Sequence, residues 1–228
     1  SRRGLMLVLS SPSGAGKTSL VKALLDILSG IEVSVSHTTR APRSGETSAI
    51  DYHFIGEAAF EQIVADGGFL EYARVFGNSY GTSKSLVDEK LAQGIDVILE
   101  IDWQGAQQVR RVMQGCCSIF VLPPSKQILE DRLRGRGQDS EEVINKRMRT
   151  AVDEMQHYHE YDFLVVNDDF EGALNELSAI VKSKRLSRHN NESHDTGIVE
   201  ALHDFCIKSI QRLTQKIISR FRVNGGRT

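Results

Sequence analysis

One stretch near the start of the chain limits what it can fold into. The apolar run Leu5–Leu9 passes directly into Ser10-Ser11-Pro12-Ser13-Gly14-Ala15-Gly16-Lys17-Thr18, and a helical pattern over Lys17–Leu28 follows. Apart from Ser11 in place of the first glycine, this is the strand–loop–helix phosphate motif G-x-x-x-x-G-K-[ST]. Glycines let the backbone curl until successive N–H groups face an anion, and the start of the helix adds partial positive charge. In such a loop Lys17 reaches the β- and γ-phosphates, and the Thr18 hydroxyl is a direct ligand for Mg²⁺. Ser13, Gly14, Ala15, Gly16, Lys17 and Thr18 are therefore the candidate cradle for a nucleoside triphosphate. Ser11 fits only if the backbone at that point is open to residues other than glycine.

The rest of the chain repeats the strand-then-helix alternation. Leu5–Leu9, Val97–Ile101, Ile119–Leu122 and Phe163–Val166 are nearly continuous apolar runs, as expected of strands buried on both faces. Helical patterns lie between and after them, at Gln104–Met113, Lys126–Arg134, Glu141–Met155 and Phe170–Arg185. The expected fold class is α/β: a P-loop NTPase fold with a parallel-sheet core. With 40% hydrophobic and 25% charged residues, the composition is that of an ordinary globular chain rather than a disordered one. A formal net charge of −2 argues against nucleic acid as a partner. No apolar run is long enough to span a membrane, none of the first residues makes a secretory pattern, and three cysteines suit a reducing, cytoplasmic location.

Residues 36–88 break the alternation. They are richer in Thr, Ser, Tyr, Arg and Gly, with turn signals at Ser44-Gly45 and Gly77-Asn78, and read as an inserted mixed α/β lobe that recognises something polar. The core is then 1–35 and 89–186, with a helical lid at 126–157. Residues 187–196 read as a linker and 197–228 as an amphipathic helix, Val199, Leu202, Cys206 and Ile210 recurring at helical spacing. That helix carries Lys208, Arg212, Lys216, Arg220, Arg222 and Arg227 against Glu200 and Asp204. It is open to three readings: a homo-oligomer contact, an anionic membrane surface, or a terminal helix packed on its own domain. No membrane partner is expected from the chain as a whole.

Several ordered segments resemble guanylate kinases. They are Ser34-Val35-Ser36-His37-Thr38-Thr39-Arg40-Ala41-Pro42-Arg43-Ser44-Gly45-Glu46, Asp51-Tyr52-His53-Phe54, Phe69-Leu70-Glu71-Tyr72-Ala73, Gly77–Ser83 and Ile98-Leu99-Glu100-Ile101-Asp102-Trp103-Gln104-Gly105. With the phosphate loop and Arg132–Arg147, the resemblance spans about residues 4–186. It implies Mg-dependent transfer of the ATP γ-phosphoryl group to GMP, giving ADP and GDP in purine nucleotide metabolism. It assigns Ser36, Arg40, Arg43, Tyr52 and Tyr80 to the GMP phosphate and Glu71, Thr82 and Asp102 to the guanine base. Chemistry supports both sets: arginine forks match phosphate oxygens, and a carboxylate accepts the paired N–H donors of guanine, which adenine lacks.

The resemblance also places Arg132, Arg136 and Arg147 over ATP, with Arg132 and Asn167 near adenine and Glu100 on Mg²⁺ through water. Lys17, Arg40, Arg43, Arg136 and Arg147 are then the catalytic cations. Arg134 and Arg149 read as solvated helix arginines, His37 and His53 as structural. Asp139 reads as the cap of the helix that follows it. No general base is expected, since the attacking phosphate oxygen is already largely deprotonated. Two other functions compete: a binding module that keeps the fold without catalysis, and a kinase for a different phosphorylated acceptor. Intact Gly16, Lys17, Thr18, Arg40 and Arg43 argue against the first, and Glu71 and Asp102 against the second.

Overall fold

The computed structural model describes residues 3–75, 77–113, 115–135 and 140–190. Arg136, Asp139 and the helix expected over 197–228 lie outside the described residues. In chain order the first elements are β1 (Met6–Ser10), α1 (Lys17–Ile27), β2 (Ile31–Val33), β3 (His37–Thr38), β4 (His53–Phe54), α2 (Glu57–Ala65), β5 (Phe69–Val75), β6 (Asn78–Ser83) and α3 (Lys84–Ala92). They are followed by β7 (Asp96–Glu100), α4 (Trp103–Val112), β8 (Cys117–Leu122), α5 (Lys126–Gly135), α6 (Glu141–Met155), β9 (Phe163–Val166) and α7 (Phe170–Asn190). No helix among the described residues is long and apolar enough to cross a membrane.

The chain divides into two compact units, one of Ser1–Ser10 with Leu28–Ser118, the other of Ser11–Ile27 with Ile119–Thr228. In the first, β1 and β2 both pair with β7 in parallel, Leu9 beside Glu100 and Val33 beside Ile98. Every residue of β1 is buried, as the continuous apolar run predicts. Two buried contacts lock this ladder. Gly4 crosses so close to the chain that a Cβ would lie 1.8 Å from the Ile95 carbonyl oxygen. One residue on, the Leu5 N–H donates to the buried Asp96 carboxylate at 2.7 Å.

The same unit holds a four-stranded sheet, ordered β4-β3-β6-β5. β5 and β6 form an antiparallel hairpin that puts Glu71 opposite Thr82 and Ala73 opposite Tyr80. Its turn is where the Gly77-Asn78 signal lies, and Gly77 has φ +81°. β3 and β4 are two residues each and pair in parallel, His37 beside His53. Their imidazoles stack with centroids 4.5 Å apart, and His37 meets Phe69 edge-on, so both histidines are packing groups.

In the second unit β8 pairs in parallel with β9 from Ile119–Phe163 to Leu122–Val166. β9 departs from the expectation of two buried faces. Phe163 and Val165 are buried while Leu164 and Val166 are partly exposed, so one face of β9 is less covered than the other. Leu129 and Leu133 of α5 cluster with Ile144, Met148 and Ala151 of α6. Val152, one residue beyond Ala151, is 40% exposed. The cap of α6 is Ser140, whose hydroxyl accepts the Val143 N–H. Arg134 is exposed, as expected of a solvated helix arginine, and is paired as well. It pairs with Glu130 at 2.8 Å and with Glu141, tying the end of α5 to the start of α6. α7 runs on to Asn190, past the Arg185 at which its pattern was expected to end; no glycine or proline stops it there.

The ladder lock can be tested directly. Asp96→Ala leaves the Leu5 N–H buried without an acceptor and is expected to cost about 1–3 kcal/mol. A lower urea midpoint at unchanged m-value will report it.

Candidate functional site

The phosphate loop lies in the second unit, and its glycines are there for two reasons. Gly14 and Gly16 sit at φ +95° and +93°, a region that L side chains enter only with strain. Space is the second reason. A Cβ on Gly16 would lie 2.4 Å from Asn167 Nδ2, and one on Gly14 would lie 2.9 Å from Leu129 Cδ1 of α5. Ser11 has no such need, since Ala49 is the one non-glycine residue at positive φ among those described. The departure from the glycine pattern therefore costs the loop nothing.

The loop is braced from behind. The carbonyl oxygen of Ala15 accepts Asn167 Nδ2 at 2.8 Å and Arg132 Nη1 at 3.3 Å. Arg132 Nη2 also donates to the Asn167 carbonyl at 3.1 Å. Asn167 is buried, and its own N–H continues from β9 to the Leu122 carbonyl of β8. Two residues expected near adenine are thus joined at the back of the loop. α1 begins at Lys17 and exposes Thr18 in its first turn. Arg147 lies half-buried in α6.

The first unit gathers the other set. Arg40 donates from Nη2 to both Glu46 oxygens at 2.9 and 3.0 Å, and from Nη1 to the Ala41 carbonyl at 2.8 Å. Its guanidinium lies over the rings of Tyr52 and Phe54, 5.3 and 5.8 Å from their centroids, within cation–π range. Tyr80 meets Tyr52 edge-on at 5.9 Å. Glu46 accepts the Arg43 N–H as well, at 2.7 Å, and these bonds hold its carboxyl below the usual range, Arg40 contributing most. The Arg43 side chain is exposed, and Ser36 is half-buried with its carbonyl accepting the His53 N–H. Burial raises the Tyr52 phenol further, so its hydroxyl stays a donor.

Glu71 is the buried charge of the site, only 5% exposed. Its register opposite Thr82 explains the 2.6 Å bond that the Thr82 hydroxyl donates to Oε1. Burial pushes its carboxyl up to about 7; the Thr82 bond opposes that shift, and the neighbouring Asp102 charge adds to it. Asp102 is the N-cap of α4, its Oδ1 accepting the Gly105 N–H at 2.9 Å. A Cβ on Gly105 would lie 2.6 Å from Glu71 Oε2, so a larger residue here would have to displace the carboxylate. Tyr80 and Thr82 share one face of β6 by the strand's two-residue period.

Sequence reasoning left three residues here without roles: Glu46, Gly105 and Gln108. Glu46 and Gly105 stand inside recognised segments, and an acid near two arginines was the available signal for the first. Gln108 carries no sequence signal.

A glycine-curled phosphate cradle on a parallel α/β core, with a separate pocket of arginine, tyrosine and buried carboxylate, defines a P-loop protein of the nucleotide-kinase class. The family model for guanylate kinase matches residues 3–184. The guanylate kinase of Methylococcus capsulatus is 60% identical over 185 residues, covering 81% of this chain and 91% of that protein. That of Photorhabdus laumondii is 55% identical over 205 residues, covering 89% and 99%. The crystal structure of guanylate kinase from Anaplasma phagocytophilum superposes with a TM-score of 0.66 at 34% identity, covering 81% of this chain and 87% of that one. The chain belongs to the guanylate kinase family.

The buried Glu71 makes stability depend on pH. Its carboxyl titrates near 7 in the folded chain and near 4.5 when unfolded. Between those values the native state holds a proton that the unfolded state has released, so stability falls as pH rises through this window. At about 1.4 kcal/mol per unit, Glu71 alone takes away about 3 kcal/mol between pH 4.5 and 7. Urea titrations of the ligand-free protein across that range will show the fall, and Glu71→Gln will flatten it.

Proposed function

We propose that GMP binds in the first unit, with its phosphate on Ser36, Arg40, Arg43, Tyr52 and Tyr80 and its guanine edge on Glu71, Thr82 and Asp102. ATP binds in the second unit, its phosphates on the N–H groups of Ser13–Thr18 and on Lys17. The reaction is transfer of the γ-phosphoryl group from ATP to GMP, giving ADP and GDP. The observation that carries this reading is Glu71, a carboxylate buried at real cost and left with acceptor capacity beyond its bond from Thr82. A base that offers two adjacent N–H donors fits that capacity.

The chemistry asks for fixed cations rather than for a base. Two anionic phosphates repel, and the transferring group spreads its charge over equatorial oxygens. Arg40 and Arg43 neutralise the acceptor, and Lys17 and Arg147 the donor; Arg136, a lid cation by resemblance, lies outside the described residues. Arg132 and Asn167 serve ATP by turning the Ala15 carbonyl away from the phosphates, the free face of Arg132 lying toward adenine. Glu46 holds the Arg40 fork and the Arg43 main chain in one piece.

Mg²⁺ fits the oxygen donors available. The Thr18 hydroxyl at the start of α1 is a hard ligand of the kind this ion takes, and Glu100 at the end of β7 is a carboxylate able to hold one of its waters. No described group of three or more His, Cys, Asp or Glu could cage a metal, which suits an ion carried in on the triphosphate. When bound, Mg²⁺ would supply charge neutralisation for the triphosphate. We place the reaction in the cytoplasm, which the low cysteine count suits.

Lys17→Ala is expected to lower kcat at least a hundredfold with an unchanged melting curve. Accepting two N–H donors needs ionised Glu71, so a proton must leave below its pKa of about 7. Guanosine, with no phosphate of its own to titrate, will bind about tenfold more weakly per unit below pH 7, while ATP affinity follows only the titration of its own terminal phosphate. Calorimetry with each ligand from pH 5.5 to 8 checks both halves. Pocket position itself is tested by a crystal soaked with GMP.

A further inference from the structure

α4 addresses Glu71 along one stripe, at positions three residues apart. Asp102 caps the helix beside the carboxylate, and Gly105 leaves it room one turn later. Gln108 comes next and does something neither of the others does. Its Oε1 accepts the Tyr72 N–H at 3.1 Å, and its Nε2 donates to the Tyr72 carbonyl at 2.9 Å. A primary amide has the donor and acceptor of a peptide unit, so Gln108 pairs with Tyr72 as a neighbouring strand would. The position matters. β5 is the last strand of its sheet, so no strand covers this edge. On the other side its ladder with β6 shifts register between Phe69 and Glu71. The backbone that carries Glu71 is thus irregularly held by β6 and doubly held by Gln108.

We propose that Gln108 is a positioning residue for guanine selection: by locking the Tyr72 peptide to α4, it fixes where the Glu71 carboxylate stands against the base. This rests on the reading of Glu71 as the guanine acceptor. A carboxylate accepting two parallel N–H bonds tolerates little displacement along its strand. A shift spares the bond to one donor and loses the other. GMP offers both N1–H and the 2-amino group, whereas inosine monophosphate offers N1–H alone. Loosening Gln108 therefore erodes the preference between these nucleotides, and not only affinity. Tyr72 itself points outward and is 46% exposed, so its side chain is not the part being held.

The test uses the full chain in four forms: unaltered, Gln108→Ala, Gln108→Glu and Glu71→Gln. For each, kcat and KM are measured for GMP and inosine monophosphate at saturating ATP, along with KM for ATP and a melting curve. Gln108→Ala is expected to raise KM for GMP about fivefold and to narrow the GMP preference in kcat/KM by a similar factor, the worth of one modest hydrogen bond. KM for ATP stays within twofold. Gln108→Glu keeps an acceptor for the N–H but faces the Tyr72 carbonyl with a charge, so it behaves like the alanine variant. If Glu71→Gln collapses the preference while both Gln108 variants keep it, or if they weaken GMP, inosine monophosphate and ATP alike, Gln108 has no positioning role. If Glu71→Gln itself keeps the preference, the guanine reading fails and this proposal fails with it.

Discussion

The parallel ladder between β1 and β7 is the constraint from which the first unit's chemistry follows. Parallel strands in register end at the same edge, and Leu9 stands beside Glu100. From that edge β7 continues into Asp102 and α4. Ligands of open α/β sheets gather at the carboxyl ends of strands because this is where such turns emerge. The ladder can be placed so strictly because it is buried throughout and because the Leu5 N–H is tied to Asp96 at its far end. A slip of one residue would expose the core and break that bond.

On this base the residues proposed to bind GMP are held by two opposite electrostatic strategies. Arg40 is kept in a dense set of partners, with a carboxylate, a carbonyl and two aromatic faces around it. Its charge is never in question, so the surroundings serve orientation. Glu71 has fewer partners, the hydroxyl and main chain of Thr82 and a nearby like charge. Its charge is in question, and so its surroundings create demand for a ligand's donors. An acceptor kept under-satisfied until the correct base arrives discriminates through the penalty of leaving it so.

The fold was legible wherever one residue type served one local purpose. Continuous apolar runs marked β1, β7 and β8, and Gly14 and Gly16 marked the loop, because burial and positive φ leave composition no choice. Recognised segments brought Arg40, Tyr52, Glu71, Tyr80 and Thr82 together as expected, for strand register does what the pattern implies. Contacts made across the chain were not legible. Gln108 meets Tyr72 and Gly105 meets Glu71 only because α4 crosses β5, and nothing in a helix pattern states what it crosses. The two-residue strands β3 and β4 fall below any periodicity. Local chemistry also misled where neighbours compete: Ser140 rather than Asp139 caps α6.

The doubly bonded carbonyl of Ala15 has a consequence for how a triphosphate arrives. Asn167 and Arg132 both hold it, so the curl of the backbone is fixed by groups of its own unit. A backbone braced in this way has less entropy left to lose when an anion of the proposed kind settles on it.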